Sequence, residues 1–204
     1  MNYWIFDFDG VLARSIEDEI LACRTFQGLE GTDDYIHSRI RNHFSKIEFD
    51  PGVEVDEEQK RKKFDFMIGY TEYVMQAENR VFSEFIDRFA STDTIRRAIV
   101  SGGSQLYIKK ILQPYLNSFD GILSYESSLS KRIKVDQVAN QWSIPLQSTR
   151  YFTDTNADVL ELKDHIGLDN IYGCAWGWCG YEMLSQVLPK AQILRDFADI
   201  ERLL

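Results

Sequence analysis

The stretch Tyr3-Trp4-Ile5-Phe6-Asp7-Phe8-Asp9-Gly10-Val11-Leu12 runs from an apolar, aromatic segment into two aspartates and a glycine turn. Short, apolar and bounded by Gly10, residues 3–8 are predicted to form a buried strand. Side chains two apart on a strand share a face, so Asp7 and Asp9 arrive together in one small volume at its carboxyl end. Adjacent carboxylates repel, and the pair has little structural use unless a cation or a proton lies between them.

Beyond this strand the pattern turns helical over residues 15–27, with Glu17, Asp18 and Glu19 in a first turn where negative charge suits the macrodipole. Residues 28–63 are charged and irregular, broken by Gly31 and by Asp50-Pro51-Gly52. A long helical pattern follows, in which Phe82, Phe85, Ile86 and Phe89 line one face. After Ser91 strands and helices alternate. Ile95–Val100 breaks into Ser101-Gly102-Gly103-Ser104, and a helix carrying Tyr107, Ile108, Ile111 and Leu112 runs to Pro114. A strand at 121–124 precedes a helix with Val135, Val138, Ala139 and Trp142 on one face, and a strand at 151–153 ends in Asp154. A helix at 157–166 stops at Gly167, and the segments 171–175, 181–187, 192–194 and 197–204 read as strand, helix, strand and helix. This alternation predicts an α/β fold, a doubly wound parallel sheet. The helical block between residues 14 and 90 interrupts the alternation and is read as an inserted cap.

A chain of 204 residues, 44% hydrophobic, can bury one good core with a small attached subdomain. Its formal net charge of −9 argues against a general affinity for nucleic acid or an anionic membrane surface. No apolar run approaches a bilayer span, and the N-terminal segment runs straight into Asp7, so it reads as a strand and not a signal peptide. Cys23, Cys174 and Cys179 form neither an even framework nor a ligand cluster, which fits reduced thiols in a cytoplasmic protein.

In an open parallel sheet, ligands gather at the carboxyl ends of the strands. Three polar clusters fall there: Asp7-Phe8-Asp9-Gly10, Ser101-Gly102-Gly103 and Asp154-Thr155-Asn156-Ala157-Asp158. Ser130-Lys131-Arg132-Ile133-Lys134 adds positive charge before a helix. Carboxylates, a hydroxyl in a glycine loop and a lysine make a site for a divalent cation and a phosphoryl group. His37, His43 and His165 lack ligand-like spacing, Asp33 and Asp34 read as a solvated turn, and Trp176 and Trp178 read as site wall or core.

With these residues the sequence resembles the haloacid dehalogenase-like (HAD) hydrolases, phosphoglycolate phosphatase-like members above all. Asp7-Phe8-Asp9-Gly10-Val11-Leu12 is similar to that family's first motif, Ser101 to its second, Lys131 to its third, and Asp154 with Asp158 to its fourth. Thr153 stands where many members have glycine, and Arg132 where many have proline after the lysine. The segment Gly173-Cys174-Ala175-Trp176-Gly177-Trp178, with Glu182 and Leu184, also looks like the corresponding stretch of those members. The resemblance implies a Rossmann-like HAD core at residues 1–13 and 91–204, with a helical C1 cap at 14–90. It implies Asp7 as nucleophile through an aspartyl-phosphate and Asp9 as general acid and then base. Ser101, Gly102 and Lys131, with Lys134 the alternative lysine, would hold phosphate. Mg²⁺ would take Asp7, the Asp9 carbonyl and Asp154. Asp158 would orient the lysine or a metal-bound water. The implied activity is hydrolysis of a small phosphorylated metabolite. Asp9 favours phosphoryl transfer over dehalogenation, because a halide leaves without a proton. A phosphomutase resembling β-phosphoglucomutase and a non-catalytic binding protein of the same fold are the alternatives. A monomer and a homodimer are equally compatible with the sequence.

Overall fold

The structure is a computed structural model that describes residues 1–47, 50–74 and 80–204. Residues 48, 49 and 75–79, within the expected cap, lie outside the described residues. A sheet of six strands, all paired in parallel, has the order β3-β2-β1-β4-β5-β6. Its strands are β1 (Asn2–Phe6), β2 (Ile95–Val100), β3 (Gly121–Leu123), β4 (Thr149–Thr153), β5 (Ile171–Cys174) and β6 (Ile193–Leu194). β1 lies in the middle, with Phe6 opposite Ile99 of β2 and Phe152 of β4. The strand order reverses at β1, which is where an open parallel sheet forms a crevice.

β1 is buried on both faces, which explains its unbroken apolar run. Trp4 and Phe6 point to one face, where they meet Phe85 and Phe89 of α4 (Ser83–Ala90), and Tyr107 and Ile108 of α5 (Gln105–Ile111) join the same cluster. Ile5 points to the other face, joining Val135 and Val138 of α6 (Lys131–Trp142), Val159 of α7 (Asn156–Leu162) and Leu184 of α8 (Gly180–Leu184). Alternation along one strand thus sorts the chain into a sheet with helices on both sides.

Between β1 and α4 the chain forms α1 (Ile16–Gln27), α2 (Asp33–His43) and α3 (Glu57–Val74). α1 ends at Gly28, whose φ of +62° supplies the left-handed cap, and the Thr32 side chain caps α2 by accepting from the Tyr35 amide. Helix α2 and the first turns of α3 correct the expectation of an irregular stretch from 28 to 63. α2 is strongly polar and buries only Ile36 and Ile40, so one apolar pair four residues apart left almost no periodic signal. The expected single helical pattern before Ser91 is also two helices, α3 and α4, with Val81 bridging to Ala13 between them. α1 and α2 pack against Trp178, in the loop after β5, through Cys23, Ile36 and Ile40. α4 behaves differently from α1–α3: the Phe89 ring stacks on Phe6 at 4.8 Å, so this helix covers the sheet although it falls within residues 14–90.

Candidate active site

Asp7 directly follows β1, and its amide donates to the Phe152 carbonyl of β4, extending the ladder by one bond. The next residues turn sharply. Gly10 has φ +72°, and the Leu12 and Ala13 amides both return to the Phe8 carbonyl. Glycine is needed at position 10 for a second reason: a side chain there would overlap the Asp154 carboxylate. Gly177 meets Asp154 from the other side in the same way. The loops after β1 and β5 therefore close on Asp154, the first residue after β4, and the Trp178 amide donates to its Oδ2 at 2.7 Å.

Ser101 occupies the end of β2 and is fully buried. Its Oγ accepts from the Gly103 amide at 2.9 Å, which leaves the hydroxyl proton free to donate elsewhere. Gly102 has open space where a Cβ would stand.

The two lysines raised by the sequence have different neighbours. Lys131 Nζ lies 2.9 Å from Asp7 Oδ1 and 3.2 Å from Asp158 Oδ2, and it donates to the Val100 carbonyl and the Tyr151 hydroxyl, both at 3.1 Å. Lys134 turns away from the carboxylates and donates to the Ser101 carbonyl at 2.6 Å. A cation in the first turn of α6 opposes the helix dipole. The two carboxylates account for Lys131 being there. Asp158 is itself held by the Tyr151 and Thr153 hydroxyls at 3.1 and 2.9 Å, so its Oδ2 is engaged in fixing the lysine.

Charges in this cleft do not balance. Burial pushes Asp7 up to about 7 against the attraction of Lys131. Burial also raises Asp9, opposed by a hydrogen bond from Tyr107. Asp154 is raised well above the carboxylate range by burial, then by Asp7. Burial opposes the ammonium of Lys131, but Asp158 and Asp7 outweigh it and hold the group above its ordinary value. Lys134, buried and beside Lys131, is pushed down to about 7. A pocket so rich in carboxylate oxygen favours whatever cation can reach it.

The donor set fits Mg²⁺. Among the described residues no three His, Cys, Asp or Glu side chains converge as a metal cage. Mg²⁺ does not require one, because it keeps several waters and takes one or two carboxylates. Asp154 Oδ1 is buried without a hydrogen-bond partner among the described residues, while Gly10 and Gly177 pack closely against the same carboxylate. Such an orphaned oxygen needs a partner.

Several site residues were not read from the sequence. Tyr151 and Thr153 hold Asp158, and Tyr107 of α5 donates to Asp9 Oδ2. In the sequence these are apolar-face or strand residues, and nothing marks their hydroxyls. The acidic first turn of α1 also divides unexpectedly: Glu17 is exposed, Asp18 pairs with Arg80 at 2.9 Å, and Glu19 buries Oε2 with no partner among the described residues. Burial raises Glu19 well above the carboxylate range, and the charges of Asp9 and Asp154 add to it. Trp178 is buried, and half-buried Trp176 donates to the Val11 carbonyl at 3.3 Å. His37 stacks on Trp178 and His165 bonds Asp136.

No protein-family model matches the sequence, and no curated protein matches it. Solved structures do resemble it along nearly its whole length. A predicted phosphatase from Clostridium acetobutylicum superposes with a TM-score of 0.71 at 18% identity, covering 98% of this chain and 96% of the other. A haloacid dehalogenase-like family hydrolase from Streptococcus pneumoniae gives 0.68 at 14% identity over 100% and 98%. A predicted phosphoglycolate phosphatase from Haemophilus somnus gives 0.67 at 16% identity over 100% and 97%. Identities this low speak to architecture and leave the chemistry to the residues themselves. The fold of this chain is that of the haloacid dehalogenase-like hydrolases.

Proposed function

We propose that this protein is a Mg²⁺-dependent phosphatase that hydrolyses a small phosphomonoester through a phosphoryl group carried on Asp7. The observation that carries this reading is the pairing of Asp7 with Lys131 at the strand end where Asp154 presents an unpartnered oxygen. A carboxylate alone in such a pocket would repel a phosphate. One held by an ammonium, with a cation position beside it, can meet one.

In the first half-reaction an Asp7 oxygen bonds to phosphorus and the ester P–O bond breaks, its electron pair leaving with the alcohol oxygen. Asp9, in its protonated form, gives that oxygen its proton. Ser101, the Gly102 amide and Lys131 neutralise the oxygens on which charge builds in the transition state. In the second, Asp9 takes a proton from water as the water oxygen bonds to phosphorus, and the phosphorus–Asp7 bond breaks to release inorganic phosphate. Asp7, the Asp9 carbonyl and Asp154 would hold Mg²⁺, which compensates charge so that an anionic carboxylate can approach an anionic phosphate. Asp158 keeps Lys131 aimed at Asp7. In this reading the helices α1–α3 form the movable cap over residues 1–13 and 91–204, while α4 stays with the sheet. Closure of that cap would exclude water from the leaving-group side.

Among the described residues no helix is long and apolar enough to cross a membrane. The three cysteines are free and buried, in keeping with a reducing, cytoplasmic setting. The test is hydrolysis of p-nitrophenyl phosphate and of a panel of phosphorylated metabolites, with Mg²⁺ and with a chelator. Turnover that needs Mg²⁺ and vanishes in Asp7→Asn is the expected result. Hydrolysis that survives in Asp7→Asn contradicts the assignment of Asp7.

A further inference from the structure

Asp9 is held by a residue outside the motifs that point to this site. Tyr107 sits in the first turns of α5, almost fully buried at 1% exposure, and its hydroxyl donates to Asp9 Oδ2. The other oxygen, Oδ1, is buried and makes no well-formed hydrogen bond among the described residues. The carboxylate is thus fixed through one oxygen by Tyr107, with the buried Ser15 hydroxyl as a second, weaker neighbour.

The neighbourhood is arranged around that phenol. Gly103, in the loop that follows β2, lies against the Tyr107 hydroxyl, and any side chain at 103 would collide with it. The ring is held edge-on by Phe8 at 5.6 Å and by Tyr70 of α3 at 5.6 Å. Ser104 caps the turn by accepting from the Tyr107 amide at 3.3 Å, and the Thr71 hydroxyl of α3 donates to Ser104 at 2.8 Å. A buried tyrosine needs an acceptor of some kind. Nothing in packing alone requires that acceptor to be the second aspartate of the pair.

We propose that Tyr107 is the positioning residue for Asp9, locking one carboxylate oxygen so that the other faces the leaving group. The inference rests on the reading of Asp9 as the acid of a phosphatase. In the step concerned, the proton moves from Asp9 to the ester oxygen as the P–O bond breaks, and Tyr107 keeps its own proton throughout. Because Tyr70 and Thr71 both belong to α3, the same contacts tie the orientation of Asp9 to the docking of that helix.

The experiment compares kcat/KM for phenyl phosphate and p-nitrophenyl phosphate with Mg²⁺, since this ratio reports the first half-reaction. Phenolate is the poorer leaving group and depends on the acid, whereas p-nitrophenolate leaves largely unaided. Tyr107→Phe is expected to lower the phenyl phosphate value about tenfold more than the p-nitrophenyl phosphate value, a part of the full contribution of a general acid. Asp9→Asn should show the same selectivity more strongly, and adding Tyr107→Phe to it should change the ratio no further. Equal losses on both esters in Tyr107→Phe, with selective loss in Asp9→Asn, overturn the role of Tyr107 alone. Equal losses in Asp9→Asn overturn the acid reading itself. Crystal structures of the wild type and of Tyr107→Phe give a readout free of turnover: the Asp9 carboxylate should rotate in the variant. An unchanged orientation overturns the proposal.

Discussion

At the carboxyl edge of the sheet Lys131 meets two carboxylates, a carbonyl and a hydroxyl, while on α1 Glu19 buries an oxygen with no partner among the described residues. The two sides are built differently. Asp7, Ser101 and Asp154 are the first residues beyond β1, β2 and β4, so the ladders that join neighbouring strands set their spacing. α1 and α2 reach the rest of the molecule through the cluster of Cys23, Ile36, Ile40 and Trp178, through Ala22 in the main core, and through Arg41, which donates to the Cys179 carbonyl at 2.6 Å. A site that needs fixed distances for bond making sits on the rigid side. The side that would admit and release substrate is attached through side chains and not through a shared ladder.

The comparison can be broken first on the rigid side. Lys131→Ala leaves Asp7 and Asp158 buried without their cation and should cost about 3–5 kcal/mol of stability, measured by urea unfolding without Mg²⁺. Gly10→Ala should be the next most damaging, because a side chain there meets a positive φ and the Asp154 carboxylate together. Its expected signature is lost Mg²⁺ stabilisation in a thermal melt, where the wild type melts higher with Mg²⁺.

Stability without metal should also depend on pH in a defined direction. Asp7 is held at about 7 in the folded chain against an ordinary 3.8. Between those values the native carboxyl keeps a proton that the unfolded one has lost, so this group's contribution to stability falls as pH rises through the window. Mg²⁺ should flatten the slope. Lys134 gives the opposite slope in a higher window. Its folded value of about 7 lies below an ordinary 10.5, so the cost of burying its charge is full below pH 7 and fades towards pH 10.5. Lys134→Met should therefore raise the melting temperature near pH 7, and the advantage should shrink as pH approaches 10.5.

On the helical side the effects should be small. Thr71→Ala removes a buried hydrogen bond between α3 and Ser104 and should cost about 1 kcal/mol. Asp33→Asn breaks an exposed pair with Arg24 and should change stability by less than about 1 kcal/mol in chemical denaturation. A cost of several kcal/mol at either position would mean that the helices are anchored as firmly as the strand ends.

The same division governs what the sequence could reveal. Strand β2 is legible to the residue, because the apolar Ala98, Ile99 and Val100 run straight into a serine-glycine loop. Asp7 and Asp154 stand out in the sequence because charge at the end of an apolar run has little packing value, whereas Lys131 follows Ser128-Leu129-Ser130 and carries no such mark. Helix α2 was hidden by its polarity, and α3 opens with Glu57-Glu58-Gln59-Lys60-Arg61-Lys62-Lys63, which reads as a solvated charge run. Glu19 was indistinguishable from Glu17 and Asp18, since only tertiary packing decides which of three adjacent acids meets the charges of Asp9 and Asp154. Tyr107, on an apolar helix face, carried no sign that its hydroxyl would leave the core and reach Asp9.

The central claim is that the phosphoryl group passes through Asp7. Mixing enzyme and p-nitrophenyl phosphate with Mg²⁺, quenching in acid within a turnover and reducing with borohydride converts an acyl phosphate to an alcohol that peptide mass spectrometry can place. Reduction at Asp7 in the wild type, and none in Asp7→Asn, is the predicted result. Hydrolysis with an unmodified Asp7, or with the label on another carboxylate, would contradict the account.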